Sequence, residues 1–217
     1  MPARIVSVIN MKGGVGKSTT TIGLAETLAV HHKARVLVID LDPQTNASIM
    51  LAGPDKWNEL HENERTLDFY FEAYALQEKP KPFKSLVEAK VSDLKGKPDI
   101  ALVASAPEFR TIERDLTETF VKRQFHIDAI QKWICERFAQ GFRTVLKDFD
   151  YILVDCPPGI SLFAEAALIA ADAIVVPSIP HTAATASNHR PALVAASTRT
   201  PAPGSNVWPC NVSSSGL

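Results

Sequence analysis

Short unbroken apolar runs alternate along the chain with longer stretches in which apolar residues return every three or four positions. The runs predict strands at Arg4 to Asn10, Val36 to Ile39, Ile100 to Ala104, Tyr151 to Asp155 and Ala173 to Pro177. The stretches between them predict helices. Ile22, Ala25, Leu28 and Ala29 mark one from Ser18 to about His31, and Phe109, Ile112 and Leu116 mark another that opens at Pro107. A third runs from Ile127 to Val145, with Ile127, Ile130, Ile134 and Phe138 on one stripe and Trp133 beside it, and Ser161 begins a fourth over Leu162 to Ala171. Strand runs this short, β-branched and bounded by charges suit a parallel sheet covered on both faces, so the fold class is α/β.

Two segments break this rhythm. Gly53 to Pro98 is polar and rich in lysine and glutamate, with helix starts at Thr66 and Ser85 and prolines at positions 80, 82 and 98. It reads as a helical insertion (53–98) between strands two and three, with Ser85 to Leu94 as one of its helices. The aromatic group Phe69, Tyr70, Phe71 and Tyr74 would anchor it to the body. From His181 onward Ala, Ser, Thr and Pro dominate without a period of 2 or 3.6, and no Asp, Glu or Lys occurs after Asp172. A segment with so little apolar surface to offset its ordering entropy predicts an irregular tail over 181–217. The remainder, 1–180, is one domain.

Composition excludes several classes. A chain of 217 residues with 46% hydrophobic and 22% charged residues is ordinary for one soluble α/β domain. No apolar run is long enough for a membrane span and the first thirty residues lack the order of a signal peptide, which predicts a cytoplasmic protein without membrane attachment. The three cysteines, Cys135, Cys156 and Cys210, form no C-x-x-C pair and suggest neither a disulfide framework nor a metal centre. His126 and His181 have no partners at ligand spacing. A net charge of −1 carries no global basic signature for nucleic acid.

The chemistry is concentrated where strands end. Between the first strand and the first helix stands Lys12-Gly13-Gly14-Val15-Gly16-Lys17-Ser18-Thr19. Its three glycines let backbone N–H groups turn in around a phosphate, the helix N-terminus adds partial positive charge, and Lys17 can reach β- and γ-phosphates. Ser18 is placed to ligate Mg²⁺. Gly13, Gly14, Val15, Gly16, Lys17, Ser18 and Thr19 are thus the expected nucleotide cradle. The general P-loop pattern asks for glycine where this chain has Met11, and does not ask for a lysine at position 12. The second strand delivers Asp40-Leu41-Asp42-Pro43-Gln44-Thr45-Asn46 to the same edge, where open α/β sheets bind ligands. Alone, Asp42-Pro43 would also suit a plain turn and Asp40 a strand-end cap. A fourth apolar strand ends in Asp155, followed by Cys156-Pro157-Pro158-Gly159, which is what a Walker B strand requires.

The lysine at the start of the loop resembles the deviant Walker A motif of the ParA/MinD superfamily of dimeric P-loop ATPases. The D-x-D-P-Q-x-N segment and the D-C-P-P end of strand four resemble the short ParA-type partition ATPases over about Ile5 to Pro180. The resemblance implies a doubly wound, mainly parallel sheet that binds ATP and Mg²⁺ at the carboxyl ends of its strands. It implies catalytic roles for Lys12, which crosses to the nucleotide of a second copy, and for Asp42, which positions or activates the attacking water. It makes Ser18, Asp40 and Asp155 the magnesium group, with Asp40 in its outer shell. The implied function is ATP-dependent partition of a plasmid, chromosome or other cargo. ATP-dependent homodimers would act on non-specific DNA, and a ParB-like partner would stimulate hydrolysis.

Three other readings stand beside it. A MinD-like spatial regulator would carry a basic amphipathic C-terminal helix, which the sequence does not display. An ATP-dependent amide-forming enzyme of the cobyrinate diamide synthase type would need a substrate site and often a glutaminase domain. The third is an inactive product of a disrupted gene. The family continues after its fifth strand as I-P-T-x-L-x-x-R-T, whereas Ile179-Pro180 is followed here by His181-Thr182-Ala183-Ala184-Thr185. Codons for His, Thr and Ala read from the second base permit Thr and then Leu, Pro, Gln, Arg or His, so a shifted frame is the expected origin of the tail. Poor solubility and weak DNA binding would follow from lost strands and an exposed sheet edge.

Overall fold

Val36–Asp40 is buried at every residue, as a strand covered on both faces must be, and the sheet is built around it and its neighbour Tyr151–Asp155. In the computed structural model, residues 2–75, 82–92, 98–122, 124, 126–178 and 192–197 are described. The strands are β1 (Arg4–Val8), β2 (Val36–Asp40), β3 (Ile100–Val103), β4 (Tyr151–Asp155), β5 (Ala173–Ser178) and β6 (Ala192–Ser197). The helices are α1 (Lys17–His31), α2 (Asn46–Glu62), α3 (Leu67–Ala75), α4 (Phe109–Lys122), α5 (Ile127–Val145) and α6 (Leu162–Ala170), with a 3₁₀ turn at Phe83–Leu86. Strand order is β3-β2-β4-β1-β5-β6. The first five are parallel, and β6 joins β5 antiparallel.

Alternation along the strands divides the core into two layers. Leu37, Ile39, Ala101, Val103, Ile152 and Val154 face α3 to α6, whereas Val36, Val38, Ile100, Leu102 and Leu153 face α1 and α2. Phe71 lies at the centre of the larger layer, edge-on to Phe163 at 4.7 Å and within 5.9 Å of Phe138 and Phe109. Register decides function here: Asp40 pairs with Asp155, and Val8 with Asp155, so the first loop and both acids leave the sheet at one level.

The doubly wound, mainly parallel α/β sheet agrees with expectation, but two segments differ from it. Helix α2 starts at Asn46 and runs across Gly53, whose φ of 76° and ψ of 161° break the helix, and Pro54 then occupies a first-turn position that needs no N–H. The aromatics that follow belong to the core itself, with Tyr70 and Phe71 almost fully buried, while the side chain of Tyr74 lies outside the described residues. Of the helix expected from Ser85 to Leu94, the described residues to Ser92 instead complete the 3₁₀ turn and continue without helix, with Glu88 bridging Leu102 antiparallel, and the last two lie outside the described residues. Backbone pairing with the β3 edge outweighs local helix preference there. In the tail, Ala192–Ser197 is a strand where irregular chain was expected, because β5 offers an unpaired edge. The rest of 181–217, His181 included, lies outside the described residues.

Candidate nucleotide and magnesium site

The start of the loop between β1 and α1 is held by Asn10. Its Oδ1 accepts the Lys12 N–H at 2.9 Å, and its Nδ2 donates to the Pro177 carbonyl at 2.7 Å, fastening the loop to β5. Gly14 and Gly16 have φ of 72° and 82°, a region that L side chains rarely adopt, so glycine is required for backbone reasons at both. Gly16 precedes α1 without a side-chain cap, which leaves first-turn N–H groups for an anion. Val15 turns its side chain inward and does not line the cleft above the loop. Lys17 is 7% exposed, and its Nζ donates to the Lys12 carbonyl at 3.3 Å.

Each acid has a different environment. Asp40 is fully buried and fully bonded: Oδ1 accepts the Asp42 N–H at 3.0 Å, and Oδ2 accepts the N–H and hydroxyl of Ser48 at 2.9 and 2.7 Å. Asp42 is 6% exposed and reaches the cleft, with Oδ1 held by the Gln44 N–H at 2.9 Å. The turn closes through Thr45, whose φ of 58° is unusual for a β-branched residue and marks local strain beside the site. Asp155 Oδ1 accepts the Thr21 hydroxyl at 3.2 Å, whereas Oδ2 is sealed from solvent and makes no well-formed hydrogen bond, although the Ser18 hydroxyl is near enough to the carboxylate to favour its charged form.

Burial raises both Asp40 and Asp155 well above the usual carboxylate range. For Asp40 the neighbouring Asp155 adds to the rise, while Ser48 opposes it. For Asp155 the hydroxyls of Ser18 and Thr21 and the charge of Lys17 oppose it, and Asp42 adds to it. The thiol of Cys156 is likewise pushed up by burial, which leaves it inert.

A cleft of about 390 Å³ opens over the loop. Gly13, Gly14, Gly16, Lys17, Ser18 and Thr19 form one wall, and Asp42, Gln44, Asn46, Met50 and Pro158 the other. Lys12 is exposed and does not line it, nor do Asp40 and Asp155, which lie beneath. The unpartnered Asp155 oxygen beside the Ser18 hydroxyl fits a divalent cation, which would supply its missing partner. Asn10, Thr21, Gln44 and Ser48 escaped the sequence reading. Thr21 stands one turn from Lys17 on the same helix face and was legible in principle, whereas Ser48 is defined only by the turn that brings it back to β2.

The AAA domain family model AAA_31 matches residues 3–189. The chain belongs to the ParA/MinD superfamily of P-loop ATPases. It is 31% identical to the chromosome partitioning protein ParA of Myxococcus xanthus over 80% of its own length and 51% of the relative's. Against the sporulation initiation inhibitor protein Soj of Bacillus subtilis it is 28% identical, over 80% and 57%. It thus spans about half the length of these ParA-type relatives. Among solved structures, apo McdA of Cyanothece superposes with a TM-score of 0.59 at 21% identity, covering 80% of this chain and 57% of that one. Cobyrinic acid a,c-diamide synthase of Mycobacterium smegmatis, solved with an ATP analogue and magnesium, gives 0.61 at 22%, covering 85% and 61%. These structural likenesses show a shared fold. Among the described residues no helix is long and apolar enough to cross a membrane.

Proposed function

We propose that this chain is a ParA-like ATPase, cytoplasmic and not membrane-attached, that binds ATP and Mg²⁺ in the cleft and hydrolyses ATP as a sandwich dimer. Its role is partition of a plasmid, chromosome or other cargo on non-specific DNA, with a ParB-like partner stimulating turnover. The observation that carries the reading is the Asp155 carboxylate, buried with one oxygen unpartnered directly under a phosphate-shaped loop. Ser18 and Asp155 would hold the magnesium ion, which when bound neutralises phosphate charge, with Asp40 behind them. Lys17, forced to stay near the loop by burial, neutralises the β- and γ-phosphates. Asp42, fixed by the Gln44 N–H, orients the attacking water from the opposite wall. Lys12 is exposed, does not line its own cleft, and would serve that of a second copy. Partition is favoured over amide formation because ParA and Soj are among the curated relatives at about 30% identity, whereas the synthase likeness is one of fold alone.

Equilibrium ATP binding and single-turnover hydrolysis, each with and without DNA, test this. Lys17→Ala is expected to weaken ATP binding roughly 10- to 100-fold by removing a charged hydrogen-bonding group. Asp42→Ala is expected to bind ATP normally and to lose about 10²-fold or more in single-turnover rate. Parent-rate hydrolysis by Asp42→Ala would contradict the role, and absence of turnover in the unaltered chain would favour the disrupted-gene reading.

A further inference from the structure

We propose a second metal site, formed by His61, Asp68 and Glu108 and suited to a divalent transition-metal ion, with zinc as the expected occupant. It lies apart from the nucleotide cleft and does not depend on the function proposed above. His61 is in the last turn of α2, Asp68 in the first turn of α3, and Glu108 immediately before α4. Backbone pairing brings the three segments together: the Leu67 N–H donates to the Ala104 carbonyl at 3.0 Å, and Thr66 bridges Ala104 in parallel. One donor atom from each of the three residues lies within 4.8 Å of the others.

Two buried atoms point to a missing ligand. Asp68 is only 3% exposed, yet its Oδ1 has no hydrogen-bond partner. His61 Nε2 is sealed from solvent and also unpartnered, although it stands 3.3 Å from Glu108 Oε2, out of line for a hydrogen bond. Leaving a buried carboxylate oxygen bare costs about 1–3 kcal/mol, so an arrangement that gathers it with His61 and Glu108 donor atoms within 4.8 Å is unfavourable unless something fills it.

The donor set selects the ion. One imidazole and two carboxylates suit zinc, with bonds of about 2.0–2.2 Å and a fourth place for water. Tetrahedral ligands at those lengths stand roughly 3.4 Å apart, closer than the widest spacing here. Glu108, whose side chain is 58% exposed, can swing to close the difference. The His61 ring is already oriented, because Trp57 stacks on it at 5.5 Å and 17° while the Trp57 indole N–H donates to the Ser105 carbonyl at 2.9 Å. A bound ion would pin the end of α2 to the starts of α3 and α4.

The test uses the full chain, stripped with a chelator and titrated calorimetrically with Zn²⁺ in excess Mg²⁺, with Co²⁺ absorption as a second readout. One saturable equivalent is expected, with a cobalt spectrum of low coordination number. His61→Gln and the exposed Glu108→Gln should each weaken Zn²⁺ at least about tenfold. Unchanged circular dichroism in Glu108→Gln would show that loss of binding is not loss of fold. Absence of saturable binding, or equal affinity in both variants, would overturn the site and leave a His61–Glu108 ion pair.

Discussion

Asp40 and Ser48 are joined by two hydrogen bonds to one carboxylate oxygen, from the Ser48 N–H at 2.9 Å and its hydroxyl at 2.7 Å. The other oxygen takes the Asp42 N–H at 3.0 Å, and the Ser48 oxygen in turn accepts the Ser105 N–H at 3.1 Å. Asp40 therefore fixes the turn that aims Asp42, and Ser48 ties that turn to the end of β3. Ser48→Ala removes a bond from a buried carboxylate and strands a buried N–H, which is expected to cost about 2–3 kcal/mol in denaturant unfolding. Single-turnover hydrolysis should fall more than ATP affinity, because the turn and not the cradle is loosened. Equal losses of both would show that Ser48 serves stability alone.

The sheet and the phosphate loop were legible because their signals are local. A strand buried on both faces must be continuously apolar, and a loop that turns in around phosphate must carry glycine at Gly14 and Gly16. Asp155 was legible for the same reason, standing at the end of such a strand. What escaped was non-local. Whether Ser85 to Leu94 forms a helix is decided by the β3 edge that Glu88 pairs with, and no window of ten residues contains that edge. Ser48 and the His61, Asp68 and Glu108 cluster are assembled by turns and bridges from separate segments, so their spacing in sequence carries no pattern.

Lys12 gives a prediction about assembly. Its side chain is exposed and outside its own cleft, while its carbonyl already accepts the Lys17 ammonium. Lys12→Ala is expected to keep monomeric ATP binding, since the cradle is intact, and to lose ATP-induced dimerisation and hydrolysis together, as removal of a charge supplied in trans should. Light scattering with ATP and Mg²⁺ measures the first and phosphate release the second. A variant that dimerises and turns over normally would reduce Lys12 to a surface residue.

Two helical glycines make a controlled comparison. A Cβ on Gly141 would stand 2.7 and 2.8 Å from the ring of Phe83, which is buried and boxed in by Tyr70 and Phe142 at 5.4 and 6.0 Å. A Cβ on Gly23, on the exposed face of α1, would meet nothing within 4 Å. Gly23→Ala should stabilise by up to about 1 kcal/mol through helix propensity, whereas Gly141→Ala should destabilise by about 1–2 kcal/mol despite the same gain, because overpacking outweighs it. Thermal unfolding of both variants decides, and a stabilised Gly141→Ala would mean that the Phe83 ring can yield.

Asp155 yields the pH prediction. Its carboxyl is raised by burial, so in the metal-free protein the native state holds protons that the unfolded chain has already released. Stability is then fully present below the ordinary carboxylate range and declines as pH climbs from there toward neutrality, and Asp40, raised for the same reason, adds to the slope. Asp155→Asn removes one ionisation. It should flatten the decline and leave the metal-free variant about 1–2 kcal/mol more stable than the parent at mildly alkaline pH. The same change deletes the unpartnered oxygen that fits a cation, so Mg²⁺ should raise the melting temperature of the nucleotide-bound parent and not that of the variant. Melting curves across pH, with and without Mg²⁺ and ATP, separate the two effects. If Asp155→Asn is less stable than the parent at alkaline pH without metal, the carboxylate is paired after all, and the buried acid is structural and not a cation ligand held ready at the expense of stability.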